Sequence, residues 1–333
     1  MNGEEESNPQ SYAYHRIDAD TVDLDAVTFH ITTRLDKRPL EESLAHAGLL
    51  TPPILLPVNN RFHVVCGFRR VAACRALGWK KLPALILPAW TERVTCTILA
   101  IADNALQRSL NLVEQARAVG LLSEVLDENG VATWAQRLGL PLHRKMHMKL
   151  KRLIALPEPI LDGVVEGLFT LSTAMALAEM SQPNQLAVAK FFTTIGPSAS
   201  LQREMLVLIQ EIATRDGMTI GELLRAPEIT GVVFDLDIDR NQRAKAVRQV
   251  LQRKRFPRLS TDLERYHLAK TALDLGDKVQ ISHPPDFEGD IYTMSIRFKN
   301  RADMREALSR IAAALEQDSF DGLFMVNRAY RRR

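Results

Sequence analysis

The sequence predicts an α+β protein in which two mixed segments flank a long helical one. Short apolar runs broken by proline, asparagine and glycine fill the first hundred residues and predict strands between helices. From Thr91 onward the apolar residues recur at helical spacing, and beyond Thr261 short alternating runs return between helices. With 333 residues, the chain is long enough for two or three domains.

Shifts in composition divide the chain into five predicted segments. Residues 1–20 are polar and acidic and predict a disordered arm. Residues 21–100 predict a mixed α/β domain, and residues 101–235 predict an all-helical domain. Residues 236–260 are rich in arginine and lysine and predict a basic linker. Residues 261–333 predict a small α+β domain.

The overall composition limits the kind of protein. The formal net charge is only +3, so any basic surface for nucleic acid must be local. Cys66, Cys74 and Cys96 form neither an even disulfide set nor a metal-binding spacing, which predicts core thiols in a reducing compartment. Neither a signal peptide nor an apolar run of membrane-spanning length is visible. We therefore expect a cytoplasmic protein without a membrane partner.

The first domain has a predictable order of elements. Residues 23–29 predict a strand, and Pro39 opens a helix that Gly48 ends. Residues 51–58 and 61–66 predict a hairpin, because Asn59 and Asn60 between them suit a tight turn. Residues 82–87 predict a further buried strand.

A candidate anion site follows the predicted hairpin. The apolar run at residues 64–66 leads into Gly67, then Arg69 and Arg70, and then an alanine-rich helical pattern. Glycine lets the backbone approach a ligand closely, and the free N–H groups at a helix start favour negative charge. The alternative is an ordinary strand-to-helix turn with two solvated arginines.

A candidate DNA-binding unit lies in the helical segment. Residues 131–140 predict a helix closed by Gly139, and the next predicted helix, 141–156, carries five lysines and arginines within nine residues. This order is typical of a helix-turn-helix, in which the second helix enters the major groove. A solvated amphipathic helix is the alternative. Residues 240–258 form a second basic segment, which either contacts DNA backbone or is a linker helix with its charges in water.

The last segment predicts a small sheet beside helices. Helices are predicted at 263–273 and 302–315, and strands at 278–281 and 292–298. So small a sheet is rarely stable alone, and we therefore expect this domain to pair with a second copy.

Taken in order, four motifs resemble the ParB family of chromosome and plasmid partition proteins. Residues 40–54 resemble the family's first helix and the strand that lines its nucleotide base. Residues 66–73 resemble its Gly-Glu-Arg-Arg-x-x-Ala phosphate motif. Residues 103–104 with 110–116 resemble the Glu-Asn and Leu-Asn-x-x-Glu-Glu-Ala segment, and residues 151–157 resemble the signature that closes the DNA-binding unit.

The resemblance implies a function. In that family the N-terminal domain binds CTP with Mg²⁺, the helical domain binds a palindromic centromere site, and the C-terminal domain forms a homodimer. Nucleotide closes the dimer into a clamp that slides along DNA, and partition uses a ParA-type ATPase. The resemblance therefore implies a cytoplasmic, nucleoid-associated protein with the same parts.

The same resemblance implies site residues in this chain. Gly67, Arg69 and Arg70 would hold the triphosphate, with Thr51 near the cytosine. Asp103 and Asn104 would meet the metal, and Asn104 would also contact the nucleotide. The implied DNA contacts are His143, Arg144, Lys145, His147, Lys149 and Arg152.

The chain also departs from the family pattern. Phe68 stands where the family has a glutamate implicated in hydrolysis, which predicts CTP binding without CTPase turnover. Gln107 and Arg108 are shifted by one position, and the acidic N-terminus lacks the short basic segment that stimulates a ParA-type ATPase. One alternative is a ParB-like DNA-binding regulator that has lost nucleotide hydrolysis or binding; a ParB-like nuclease is another. Sulfiredoxin chemistry needs a cysteine at the position of Phe68, so we do not expect that activity here.

Overall fold

The computed structural model describes residues 12–33, 38–140, 143–235, 237–287 and 289–324. The chain divides into two compact units, Met1–Thr193 and Thr194–Arg333. Within the described ranges, the first unit holds a five-stranded sheet and helices, and the second holds helices and a two-stranded sheet. The predicted α+β class is confirmed.

The sheet of the first unit mixes parallel and antiparallel neighbours. Its strands are β1 (Ala13–Asp18), β2 (Val22–Asp23), β3 (Ile54–Val58), β4 (Arg61–Cys66) and β5 (Lys81–Ile86). They lie in the order β1-β5-β3-β4-β2. The pairs β1–β5 and β3–β4 are antiparallel, and the pairs β3–β5 and β2–β4 are parallel.

The start of this sheet corrects the prediction of a disordered arm over residues 1–20. β1 pairs with β5 along its full length, from Ala13 opposite Ile86 to Asp18 opposite Lys81. The strand escaped prediction because it is a sheet edge with mostly exposed residues, which lack the apolar alternation of a half-buried strand. Residues 1–11 of the predicted arm lie outside the described residues.

The strand predicted over residues 23–29 is shorter than expected. It ends at Asp23, whose Oδ1 accepts the N–H groups of Asp25 and Ala26 at 3.0 and 3.2 Å. An aspartate side chain that bonds its own backbone two residues onward forms a turn, and the turn stops the strand. The β3–β4 hairpin is confirmed, with Val58 opposite Arg61 and Asn59 at a φ of 54°.

Helices cover both faces of the sheet. They are α1 (Arg38–Ala47), α2 (Phe68–Ala76) and α3 (Arg93–Ala105). Val64 packs in the core that includes α1 and α2, whereas its neighbour Val65 packs in the core that includes α3. Successive residues of a strand point to opposite faces, so β4 passes between the two cores.

The three cysteines are buried free thiols, as predicted. Burial raises the pKa of Cys74 and of Cys96 to about 11. Burial is also the main cause that raises the pKa of the Cys66 thiol, with a smaller contribution from Asp103. A buried thiol with a raised pKa is a poor nucleophile, so Cys66 suits packing rather than sulfiredoxin-like chemistry.

The rest of the first unit is helical. It contains α4 (Leu112–Val125), α5 (Glu128–Arg137), α6 (Arg144–Ile154), α7 (Glu158–Val165), α8 (Leu171–Leu177) and the start of α9 (Gln182–Ile195). α4 contacts α3, α5, α6 and α7, so it is the support of the predicted helix-turn-helix pair α5–α6. α5 begins earlier than predicted because Asp127 Oδ1 accepts the Gly130 N–H at 2.8 Å and caps the helix.

The second unit ends in a small α+β core. Its helices are α10 (Ala199–Asp216), α11 (Ile220–Leu224), α12 (Pro227–Val233), α13 (Arg240–Arg255), α14 (Pro257–Ala272), α15 (Arg301–Leu315) and α16 (Asp318–Gly322), and its strands are β6 (Val279–Ser282) and β7 (Thr293–Ile296). β6 and β7 pair antiparallel, with Val279 opposite Ile296. Tyr266, Ile281 and Ala307 are buried in this core.

The predicted basic linker, residues 236–260, is instead mostly a packed helix. α13 contacts α10 and α12 and buries Val247 and Leu251 completely. Three of its cations pair with glutamates of those two helices: Arg248 with Glu204, Lys254 with Glu228, and Arg255 with Glu211. These ion pairs therefore help to hold α13 against α10 and α12.

Across the described ranges, no helix is both long enough and apolar enough to cross a membrane.

Candidate functional site

The predicted anion site lies where β4 turns into α2. Gly67 precedes the helix with a φ of 92°, in the left-handed region that favours glycine. The first helical hydrogen bond runs from the Val71 N–H to the Gly67 carbonyl at 3.0 Å, so Gly67 stands directly at the start of α2. This geometry is the one that the sequence predicted for an anion-binding helix start.

A cavity of about 350 Å³ opens in front of this helix start. Its described lining residues are Phe29, Ile31, Thr32, Leu40, Thr51, Val65, Gly67, Phe68, Arg69, Arg70, Asp103, Asn104, Gln107 and Arg108. The lining includes every residue implied for the nucleotide and the metal. The fold therefore brings together three segments that are far apart in sequence: the loop before β3, the start of α2 and the end of α3.

Arg70 joins these three segments. Its Nη1 donates to the carbonyl oxygens of Thr51 at 2.9 Å and Pro52 at 3.3 Å, and its Nη2 donates to Asp103 Oδ2 at 2.7 Å. Asp103 Oδ1 also accepts from Gln107 Nε2 at 3.3 Å. Asp103, implied as a metal ligand, is here the counter-ion of Arg70.

A second ion pair, which the sequence did not reveal, joins Arg108 of the cavity lining to Glu114. Glu114 is only 1% exposed, and its carboxylate accepts from Arg108 Nη1 at 2.6 Å and Nη2 at 2.9 Å. It also accepts the N–H groups of Thr33 and Asn111, each at 3.1 Å. Burial alone would raise the pKa of Glu114, but these hydrogen bonds and the Arg108 charge outweigh it and hold the pKa below its usual value.

Glu114 is also half of a capping box. The Asn111 side chain accepts the Glu114 N–H at 3.0 Å, while the Glu114 side chain accepts the Asn111 N–H. The spacing of a cap residue and a glutamate three positions later marks this position in the sequence, as does the resemblance of residues 110–116 to the family segment. The pairing with Arg108 depends on the loop that joins α3 to α4, which that spacing does not specify.

Phe68 fills the position where the family has glutamate. Its side chain is 8% exposed and stacks on His30, with ring centroids 4.3 Å apart and an interplanar angle of 25°. Burial lowers the pKa of His30, and the nearby Arg117 lowers it further. The phenyl ring can neither accept a proton nor orient a water molecule, and Asp103 is the one carboxylate among the described lining residues of the cavity.

The donor set suits Mg²⁺ only together with a phosphate. Among the residues that the structure describes, no group of three or more His, Cys, Asp or Glu side chains could hold a metal ion by itself. Mg²⁺ typically binds one or two carboxylates plus phosphate oxygens and keeps several waters. Asp103 and the amide oxygen of Asn104 fit that pattern, although Asn104 Oδ1 lies 3.4 Å from Thr32 Oγ1, which donates to it.

The predicted DNA-binding residues do not all share one surface. Lys145, Lys149 and Arg152 are exposed at helical spacing on α6, and His143 is exposed just before the helix. His147 turns toward α4 instead, with its Nε2 3.3 Å from Ser123 Oγ. The remaining predicted residue, Arg144, has a side chain outside the described set.

Part of the basic cluster is paired within the fold. Arg152 pairs with Glu179, whereas Lys145 and Lys149 have no ion pair among the described residues. Met148 lies between these lysines on α6 and is 59% exposed. The exposed surface of α6, defined by Lys145, Met148 and Lys149, is thus cationic around an apolar centre.

A comparison with known families agrees with this geometry. Residues 12–104 match the family model of the ParB N-terminal domain. The matched segment is similar to a ParB N-terminal domain. It spans β1 to nearly the end of α3 and includes Gly67, Arg69, Arg70 and Asp103, so the resemblance inferred from the sequence is confirmed.

Two curated relatives each match less than half of the chain. The probable chromosome 1-partitioning protein ParB of Deinococcus radiodurans is 32% identical over 145 residues, which cover 43% of this chain and 47% of the relative. A nucleoid occlusion protein of Bacillus velezensis is 32% identical over 138 residues, covering 41% of this chain and 47% of the relative. The chain thus spans about half the length of these relatives.

A solved structure is also similar. It is the C-terminally truncated chromosome-partitioning protein ParB of Caulobacter crescentus complexed with CTP-gamma-S. The sequence identity is 23% and the TM-score is 0.26, with 54% of this chain and 99% of that chain covered.

Proposed function

We propose that this protein is a CTP-binding, DNA-binding partition protein that acts as a nucleotide-gated dimeric clamp. The observation that carries the proposal is one cavity of a ParB N-terminal domain in which Thr51, Gly67, Arg69, Arg70 and Asn104 meet. The curated relatives, named for chromosome partitioning and nucleoid occlusion, support the wider role.

The residues of the cavity suit a nucleotide with its metal. The N–H groups at the start of α2 and the guanidinium groups of Arg69 and Arg70 would bind phosphate oxygens, because charged donors form the stronger hydrogen bonds. Thr51 would lie beside the base. Mg²⁺, held by Asp103 and Asn104 together with the phosphates, would offset the phosphate charge.

Binding without turnover is part of the proposal. Hydrolysis needs a group that orients or deprotonates water, and Phe68 replaces the family glutamate with a buried ring. The cavity would therefore hold CTP as a conformational ligand. Opening of the clamp would then follow CTP dissociation rather than cleavage.

The other parts follow from the same proposal. The exposed surface of α6 would bind a palindromic centromere-like DNA site, and β6–β7 would pair with a second copy to form a homodimer. We also propose a cytoplasmic, nucleoid-associated location and a ParA-type ATPase as partner.

Loss of Arg69 is expected to weaken CTP binding. Arg69→Ala removes a charge-assisted hydrogen bond to phosphate, which corresponds to about 1.5 to 3 kcal/mol of binding free energy. Isothermal titration with CTP, ATP and GTP, in the presence of Mg²⁺ and duplex DNA, measures the effect. Arg61→Ala is the matched control, since Arg61 is an exposed arginine of the same sheet that pairs with Asp23.

The titration also separates the clamp from its main alternative. Binding of DNA by the wild-type protein without heat from any nucleotide would reject the gated clamp and favour a ParB-like regulator that has lost its nucleotide. The ion pair between Arg70 and Asp103 is the observation that keeps that alternative open, because it gives Arg70 a partner within the chain.

A further inference from the structure

We propose that Asp103 and a bound phosphate group compete for Arg70, and that this competition makes nucleotide binding depend on a divalent cation. The inference rests on the proposed binding of a nucleotide in this cavity. Before any metal is bound, the Asp103 carboxylate would pair with Arg70, and the phosphate would have to displace it.

Contacts within the chain fix the position of the Arg70 guanidinium, so a phosphate must approach it there. The guanidinium lies over Gly67 so closely that a Cβ there would be 2.9 Å from Arg70 Nε. Nη1 is fixed by the carbonyls of Thr51 and Pro52, and Nη2 points to Asp103 at 2.7 Å. The side chains of Arg70 and Asp103 are only 17% and 20% exposed. The Nη2–H that Asp103 accepts is therefore open to a phosphate only when the carboxylate moves away.

Charge explains why displacement alone is unfavourable. When Arg70 Nη2 donates to a phosphate instead of Asp103, the Asp103 carboxylate loses its counter-ion and lies beside a second anion in a half-buried cavity. Like charges at such short range repel strongly when water is partly excluded. A divalent cation that binds both the released carboxylate and a phosphate oxygen removes this repulsion.

The ion pair between Arg108, which lines the cavity, and Glu114 is less easily broken by a ligand. Glu114 keeps two backbone N–H groups in addition to both nitrogens of Arg108, and it is almost fully buried. Asp103 accepts from two side chains, Arg70 and Gln107, and the second hydrogen bond is a long 3.3 Å. The carboxylate that can be released is therefore Asp103.

The test is CTP titration of the full chain with Mg²⁺ and again with EDTA. We expect the wild-type protein to bind CTP on the order of tenfold more weakly in EDTA, as for the removal of one charged hydrogen bond. Asp103→Asn removes the competing charge, so it should bind CTP more tightly than wild type in EDTA and nearly equally well in both buffers. Asp20→Asn, an exposed carboxylate of the same domain, should behave as wild type.

The outcomes are distinguishable. If Asp103→Asn binds CTP no better than wild type in EDTA, or keeps the wild-type dependence on Mg²⁺, the competition is overturned while the proposed function stands. If the wild-type protein binds no CTP even with Mg²⁺, both are overturned. Asp103→Ser, which removes the carboxylate with a smaller side chain, guards against a folding defect and should lose the cation dependence in the same way.

Discussion

Replacing Glu114 by alanine is expected to lower the free energy of unfolding of the first unit by about 2 to 4 kcal/mol. The buried carboxylate accepts five hydrogen bonds: two from Arg108, one each from the N–H groups of Thr33 and Asn111, and one from the Thr33 hydroxyl. Arg108 is partly exposed and can be rehydrated, but the two backbone donors lose their acceptor. An unsatisfied buried donor keeps the full cost of its desolvation.

The measurement is denaturant unfolding followed by tryptophan fluorescence. Trp79, Trp90 and Trp134 are the only tryptophans of the chain, and all three lie in the first unit, so the signal reports that unit. Glu124→Ala is the matched control on the same helix, because Glu124 and its partner Arg93 are each 53% exposed. An exposed pair contributes about 0 to 1 kcal/mol. Equal losses for the two variants would contradict the role of Glu114.

The same pair predicts a pH dependence. The pKa of Glu114 is lower in the folded protein than the value of about 4.3 expected in an unfolded chain. Its contribution to stability is therefore complete above the unfolded pKa and disappears as the pH falls through the folded pKa. The difference in unfolding free energy between wild type and Glu114→Ala should shrink as the pH falls below about 4. A difference that stays constant down to the acid transition would contradict this assignment.

The local backbone at the start of α2 was predictable because it is formed by consecutive residues. A strand, a glycine and two arginines at a helix start are consecutive residues, and the structure gives Gly67 the left-handed φ that the pattern requires. Asp103 and Asn104 lie more than thirty residues away, and only the family resemblance joined them to Arg70. The pairing of Arg108 with Glu114 was missed because a loop conformation, not a periodicity, brings them together.

The misjudged segments have a common physical cause. β1 pairs through its backbone at a sheet edge, so its side chains carry little apolar pattern. The basic run of α13 is offset by glutamates on α10 and α12, which are distant in sequence. Charge counted along the chain cannot show which cations have partners in the fold. The structure therefore separates two basic helices that look alike in sequence.

The difference between α6 and α13 leads to a prediction about DNA binding. Replacing Lys145 and Lys149 together by alanine is expected to weaken DNA binding by about 1.5 to 3 kcal/mol for each phosphate that loses its charged partner. Both lysines are exposed on α6, the second helix of the predicted helix-turn-helix pair, and neither has an ion pair in the described part of the chain. Removing one lysine–phosphate pair should also reduce the slope of log K against log salt by about 0.9.

Salt titration of a labelled DNA duplex of mixed sequence, followed by fluorescence anisotropy, measures affinity and slope together. The matched control replaces Lys245 and Arg253, two exposed cations of α13, by alanine and so removes the same charge. Because general attraction depends on net charge, an equal loss of affinity for both double variants would mean that binding is not localised on α6.

A His147 variant provides a second control for the same test, on α6 itself. Its ring faces Ser123, so His147→Ala should leave the salt slope unchanged, whereas the double lysine variant should lower it by about 1.8. A solvated amphipathic helix predicts no change of slope for either variant, because its charges contact only water. A fall confined to the exposed lysines therefore requires that this face of α6, rather than its basic composition as a whole, meets the phosphates.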